Sequence, residues 1–230
     1  LQHFHGLEIK TKTPVFEANT AILMDFRVDQ SKGMHFIYLL PYSTTEALVE
    51  STIFSTNLAD EQFYLSTIDN YLAEHYQVEE YEITHRENGV IPLGKLAPHD
   101  VKIPGLGANG GATRPASGYA FLFIQRQITS AIERVNAGKE LTFSNPHKRL
   151  DLWMDSVLLT VLRHWPQHGP KLFSSMARTL TGDQFVKFLS GDAGWWIRLK
   201  VIFSMPKIPF LKALTKRAFT RKKVSTAVVA

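Results

Sequence analysis

The sequence predicts an α+β fold, an antiparallel sheet followed by a helical region. Two observations carry this. Between residues 1 and 54, apolar and polar residues alternate in short runs. Ile22, Met24, Phe26 and Val28 fall on one side, and Asp25, Arg27 and Asp29 on the other, the period of a half-buried strand. From residue 148 onward the apolar spacing is helical, interrupted at Pro166, Gly169-Pro170, Gly182, Gly191, Pro206 and Pro209. Strands first and helices after argue for segregated layers rather than alternating βα units. With 230 residues the chain can bury a sizeable core, in one large domain or two small ones. The expected division is a sheet portion over 1–103, a glycine loop with its helix over 104–138, and a helical region over 139–230.

Taken in order, residues 1–11 read as a strand that Thr13-Pro14 breaks, and 21–29 as a second. Ser31-Lys32-Gly33 turns the chain into a strand over 34–40, closed by Pro41, with 46–54 as its antiparallel partner. Asp60 stands where it caps a helix to about Tyr76, with Phe63, Ile68, Tyr71 and Leu72 near helical spacing. Residues 79–86 alternate again, and Asn88-Gly89 is expected to turn the chain into Val90-Ile91-Pro92-Leu93. Helices are then expected at about 148–165, 170–180, 183–190, 194–204 and 209–220. No repeat or low-complexity segment is present.

Residues 104–121 stand apart. Gly105, Gly107, Gly110, Gly111 and Gly118 crowd one loop, residues 101–103 read as a short strand entering it, and a helical pattern leaves it. Pro115 stops helix upstream and Ser117 is placed to cap a helix starting near Gly118. A helix N-terminus behind a glycine loop suits an anion. Gly105-x-Gly107-x-x-Gly110 matches the dinucleotide fingerprint only on paper. The helix starts too late, and no second strand ending in an acid follows.

The net charge of +5 conceals two blocks. Past Asp192 there is no Asp or Glu, and nine cations remain, from Arg198 and Lys200 through Lys207, Lys212, Lys216 and Arg217 to Arg221, Lys222 and Lys223. Residues 1–192 keep 17 of the 26 Lys+Arg against all 21 Asp+Glu, a net of −4. Such asymmetry marks a polyanionic partner. Trp195, Trp196, Phe203, Ile208, Phe210 and Leu211 beside these cations fit an interfacial helix on anionic lipid over 195–223. A packed helix with a basic outer face is the other reading. No nucleic-acid motif accompanies the charge, so nucleic acid is not expected as the partner. No apolar run is long enough to cross a bilayer, and without cysteine, thiolate chemistry and cysteine metal sites are excluded.

Among candidate side chains, Glu50 shares a strand face with Leu48, Thr52 and Phe54. A carboxyl among apolar neighbours is pushed toward its neutral form and becomes a proton donor near neutral pH. A solvent-facing glutamate on an edge strand is the competing reading. Asp25 and Arg27 share a face and form an ion pair or bind a polar group. His3 with His5, and His164 with His168, have metal-like spacing. Pro166 interrupts the second pair and no carboxylates join either, so no metal site is expected. No Ser-His-Asp arrangement is legible.

Five stretches together resemble the bacterial and plant lycopene cyclases. They are Leu23-Met24-Asp25-Phe26-Arg27; Phe36-Ile37-Tyr38-Leu39-Leu40-Pro41-Tyr42-Ser43; Ala47-Leu48-Val49-Glu50-Ser51-Thr52; Gly89-Val90-Ile91-Pro92-Leu93; and Gly110-Gly111-Ala112-Thr113-Arg114-Pro115-Ala116-Ser117-Gly118-Tyr119-Ala120-Phe121. The likeness continues through Arg163-His164-Trp165 to Pro209-Phe210-Leu211. It implies the substrate-domain sheet of a para-hydroxybenzoate hydroxylase-like flavoprotein, with an N-terminal FAD-binding Rossmann half expected to precede Leu1. A chain lacking that half is expected to be inactive alone.

The resemblance further implies conversion of the linear ψ ends of lycopene, or another linear carotenoid, to β-ionone rings without net oxidation. The cofactor is reduced FAD, with NADH or NADPH as reductant. The family's catalytic glutamate falls on Glu50. Plant members carry Glu-Glu-Thr where this chain has Glu50-Ser51-Thr52, so the second carboxylate is missing. Flavin contact falls on Gly110, Gly111, Pro115, Gly118 and Tyr119, and substrate contact on Asp25, Arg27 and Tyr38. The expected location is cytoplasmic, peripheral on the inner face of the membrane. A redox flavoenzyme of isoprenoid lipids (a prenyl reductase or hydroxylase) and a non-catalytic lipid-binding fragment remain as alternatives.

Overall fold

The computed structural model describes residues 1–94 and 104–227, and for residues 218–227 the backbone only. The strand expected at 101–103 and the side chains of Arg221, Lys222 and Lys223 lie outside the described residues. The chain separates into two compact units, Leu1–Ile91 and Pro92–Ala230.

The first unit is a five-stranded antiparallel sheet with one helix. Its strands are β1 (Gln2–Lys10), β2 (Ile22–Asp25), β3 (Met34–Pro41), β4 (Glu46–Phe54) and β5 (Glu82–Ile91), in the order β2-β3-β4-β1-β5. Helix α1 (Glu61–Tyr76) buries Tyr64, Thr67, Ile68, Tyr71 and Leu72, the i, i+3, i+4, i+7, i+8 stripe of a core-facing helix. That stripe meets Leu7, Ile9, Ile37, Leu39 and Val49, so α1 covers one sheet face. Gln77 ends α1 in the left-handed region, and its N–H returns to the Leu72 carbonyl. Asp60 stands at the N-cap as expected, but its side chain makes no capping bond.

Two expectations in this unit are corrected. Asn88-Gly89 does not turn the chain. β5 runs straight through both residues, opposite His5 and Phe4 of β1. A Cβ at Gly89 would lie 2.8 Å from the Phe4 ring, so the glycine makes room for an aromatic neighbour rather than bending the backbone. The strand expected over 21–29 shrinks to β2, because Asp25 and Gln30 take over the backbone beyond it. The Arg27 N–H donates to Asp25, and the Gln30 side chain donates to the carbonyls of Phe26, Val28 and His35.

The second unit is helical: α2 (Phe121–Asn136), α3 (Arg149–His164), a 3₁₀ turn (Pro166–His168), α4 (Gly169–Thr179), α5 (Gly182–Leu189), α6 (Trp195–Ser204) and α7 (Lys207–Ala227). Thr181 and Gln184 close a reciprocal capping box at the start of α5. Helix α7 starts two residues before the expected 209, so Pro209 sits within its first turn, where a missing N–H costs no helical bond. Met176, Leu180 and Val201 form a core with Phe173, Phe185, Phe188 and Ile197. Two buried ion pairs tie α3 to its surroundings, Asp155 to Arg114 of the glycine loop and Asp151 to Arg198 of α6.

Arg198 therefore leaves the set of lipid-facing cations. It is 6% exposed and also donates to the Ala193 carbonyl. Lys207 donates to the carbonyls of Ile202 and Phe203 at the end of α6. No helix among the described residues is long and apolar enough to cross a membrane.

Candidate functional site

Glu50 lies on β4, between β3 and β1 and away from the sheet edges. The edge-strand reading is excluded on that ground. The pairing register places Tyr38, Glu50, Gly6 and Glu87 in one row across β3, β4, β1 and β5. The adjoining row is Phe36, Thr52, Phe4 and Gly89. Directly opposed residues share a sheet face, and this face is the one α1 does not cover. Phe36, Thr52 and Phe54 are buried on it. The Phe36 ring meets Tyr38 edge-on at 5.0 Å between centroids and Phe54 at 5.6 Å.

Burial in these surroundings raises the Glu50 carboxyl to about 7; the Thr52 hydroxyl, donating to Oε1, works against it, and the Glu87 charge adds to it. Burial, and then the Glu50 charge, push the Tyr38 phenol up to about 12, so it remains a neutral donor. Gly6 gives the site its space. A Cβ there would stand 2.9 Å from Glu87 Cγ and 3.3 Å from Leu48 Cδ1. Sequence reasoning missed Gly6 and Glu87. A lone glycine inside a strand pattern signals a close approach, but the partner is set by register, which sequence spacing does not carry.

Asp25 and Arg27 do pair, but not beside Glu50. Asp25 is opposite Ile37, on the face that α1 covers. It accepts from Arg27 Nη2 at 2.5 Å, from Arg27 Nε at 3.0 Å and from the Tyr71 hydroxyl of α1 at 2.8 Å. Burial pushes this carboxyl up, but the Arg27 and Tyr71 donors outweigh it and hold it at about 2. The pair ties the edge strand to α1. His3 and His5 are likewise engaged in packing. His3 bonds Tyr64 and Ser55, and the His5 ring stacks on Tyr64. No group of three metal-ligating side chains occurs among the described residues.

The glycine loop is folded onto α2 by one side chain. Gln127 accepts from the Gly107 N–H at 3.1 Å and donates to the carbonyls of Gly110 and Ser144. The N–H groups of Gly110, Gly111, Ala112, Ser117 and Gly118 all donate to carbonyls within the loop. They are turned inward and do not form a cradle of free amides. The helix begins at Phe121, later than expected, because Gly118 (φ +70°) closes a turn back to Arg114. Ser117 consequently caps the Tyr119 N–H of the turn and not α2. The α2 N-terminus carries no side-chain cap and no acidic residue in its first turn, so its positive end is unneutralised and suits an anion. Tyr119 and Phe121 are exposed there.

Gly110 tolerates no side chain, since a Cβ would meet the Gly105 carbonyl oxygen at 2.2 Å. Gly110→Ala is expected to displace the loop and cost about 1–3 kcal/mol. Urea unfolding of the variant followed by circular dichroism measures this.

The family model described as lycopene cyclase protein matches residues 1–215. The lycopene beta-cyclase of Pantoea ananas is 23% identical over 231 residues, covering 93% of this chain and 56% of that protein. The lycopene beta-cyclase of a Paracoccus species is 31% identical over 128 residues, 52% of this chain and 32% of that protein. The chain thus spans about half or less of the length of these relatives. A geranylgeranyl bacteriochlorophyll reductase-like protein of Thermoplasma acidophilum aligns with a TM-score of 0.42 at 12% identity, over 87% of this chain and 51% of that one, too loosely to carry an argument. The match over residues 1–215 spans both compact units, and on it the chain belongs to the lycopene cyclase family.

Proposed function

We propose that this chain is the substrate-domain and helical part of a lycopene cyclase that closes linear ψ ends to β-ionone rings by proton-initiated, non-redox cyclisation. The observation that carries the reading is Glu50, a carboxyl raised to about 7 on an aromatic-lined face of a central strand. A general acid works best with its pKa near the working pH. Thr52 donates to Oε1, which leaves Oε2 to carry the proton.

Glu50 transfers that proton to C2 of the ψ end, leaving a tertiary cation at C1. The C5=C6 double bond attacks C1, and loss of the C6 proton completes the β ring with no net change in oxidation state. The Tyr38 ring lies opposite Glu50 on the same face and favours the passing cation through its π face, while the fully buried Phe36 packs edge-on against Tyr38 and holds it. Tyr38 is the substrate-contacting residue of this reading, and Asp25 and Arg27 keep the structural role their geometry describes.

The uncapped α2 N-terminus suits an anionic cofactor, and because the amides of Gly110, Gly111 and Gly118 are bonded within the loop, these residues with Pro115 and Tyr119 would meet it as surface and not as amide donors. In this reading the fold is para-hydroxybenzoate hydroxylase-like and the group is FAD kept reduced by NADH or NADPH, which would supply a negative charge. The helical region, with Trp195 and Trp196 each 70% exposed, lies on an anionic membrane surface at its cytoplasmic side.

Lycopene supplied to the full-length enzyme with reduced FAD and liposomes in D2O tests the reading. The expected result is a cyclic product with one deuterium per ring and no stoichiometric cofactor loss. Product matched one-to-one by cofactor oxidation would place the protein among the redox flavoenzymes instead.

A further inference from the structure

A cavity of about 400 Å³ lies inside the C-terminal unit, enclosed by α3, α4, α5, α6 and α7 and reached by Ala116 and Ser117 of the glycine loop. Nothing in the assignment of Glu50 or of the flavin contacts uses it. Its lining is almost wholly apolar and rich in two side-chain types. Trp153, Phe173, Phe188 and Phe210 supply rings, and Met154, Met176 and Met205 supply thioethers. Volumes of this order hold small-molecule ligands.

The charged residues at the cavity are engaged in bonds within the fold. Asp155 and Arg114 pair with each other through two bonds, at 2.5 and 3.0 Å. Lys207 donates to two backbone carbonyls and stands 5.2 Å from the centre of the Phe203 ring. Arg114 Nη1 is buried without a partner, one polar atom in a lining that is otherwise nearly all apolar, and that lining fits a hydrocarbon. Aromatic rings and polarisable sulfur favour flat π systems over saturated chains.

The rim gives the direction of entry. Trp153, Ile202, Leu211 and Leu214 line the cavity and are also exposed. Phe203 and Ile208, next to them in sequence, are exposed as well, and Lys212 adds an exposed cation on α7. An apolar opening with aromatic residues and cations beside it suits entry from an anionic bilayer.

We propose that this cavity is a binding site for a linear conjugated polyene hydrocarbon, entered from the membrane between α3 and the α6–α7 end. The identification of the polyene with the substrate rests on the proposed cyclisation, whereas the existence of the site does not.

The test uses the full chain and lycopene delivered in detergent micelles. Lycopene is expected to slow amide hydrogen exchange in α3, α4 and α6 of the unaltered protein. Leu158→Trp and Met154→Trp, which fill the cavity, are expected to weaken lycopene binding about tenfold or more, while Val186→Ser, exposed on α5 and outside the lining, binds as the unaltered protein does. Undiminished binding by both folded tryptophan variants, or protection confined to other segments, would overturn the proposal. So would equal protection by phosphatidylglycerol vesicles without polyene, which would hand the cavity to a lipid acyl chain. Binding lost in the tryptophan variants together with no ring formation by the full-length enzyme supplied with reduced FAD would retain the cavity and remove the cyclase reading.

Discussion

Glu50→Gln is expected to lower kcat for ring formation by about 10²–10⁴-fold and to leave the KM for lycopene nearly unchanged. Glutamine keeps the size and the bond from Thr52 but carries no acidic proton. The effect therefore falls on the chemical step and not on binding. Full activity in the glutamine variant would remove Glu50 as the acid.

The pH dependence follows from the same site. Glu50 must be protonated to act, so activity is expected to hold on the acid side and fall as pH rises through about 7. Burial is the main cause of the raised value, with Glu87 adding to it and Thr52 opposing. Glu87→Gln removes the like charge and is expected to move the fall to lower pH, a shift that simple loss of stability would not produce. The stability sign agrees. The folded state favours the protonated carboxyl, so its contribution is complete below the unfolded value near 4.5 and is lost as pH rises through about 7. Rate profiles of the three proteins between pH 5 and pH 9 check these directions.

Arg114→Met is expected to destabilise the C-terminal unit by about 3–5 kcal/mol. Both side chains of the Arg114–Asp155 pair are 7% exposed, and the guanidinium meets the carboxylate through Nε and Nη2. Removing the arginine leaves Asp155 buried without its partner. The double variant Arg114→Met, Asp155→Leu is expected to regain most of the loss, because it removes the stranded charge as well. Arg27→Met is the contrast. Its side chain is 63% exposed, and its pair is expected to contribute only about 0–1 kcal/mol. Urea unfolding of the four proteins measures all of this, and equal losses for Arg114→Met and Arg27→Met would contradict the burial argument. Because Arg114 ties the glycine loop to α3, the single variant is also expected to loosen the loop that Gln127 holds against α2.

Strand β4 and helix α1 lie where period and punctuation in the sequence place them, since both depend on neighbours within a few residues. Glu50 is legible for the same reason. Its face-mates Leu48, Thr52 and Phe54 follow from the period of two, and an acid among them is conspicuous. The helical breaks at Pro166, Gly169-Pro170 and Gly182 likewise fall at element boundaries, as the first residues of the 3₁₀ turn, α4 and α5.

What spacing does not decide is partnership. Asn88-Gly89 has the composition of a turn, yet the Phe4 ring claims the space above Gly89 and β5 stays straight. Arg198 counts as a tail cation in the sequence and as half of a buried pair in the fold, because Asp151 lies 47 residues away on α3. Asp25 and Glu50 both alternate correctly, but only the order of the strands and the seat of α1 put them on opposite faces. The apolar cavity, drawn from a loop and five helices, has no local signature at all. Local period and backbone stereochemistry act over a few residues and are written in the chain. Burial, which raises Glu50 and fixes Arg114, depends on which distant surfaces meet, and only the tertiary structure sets that.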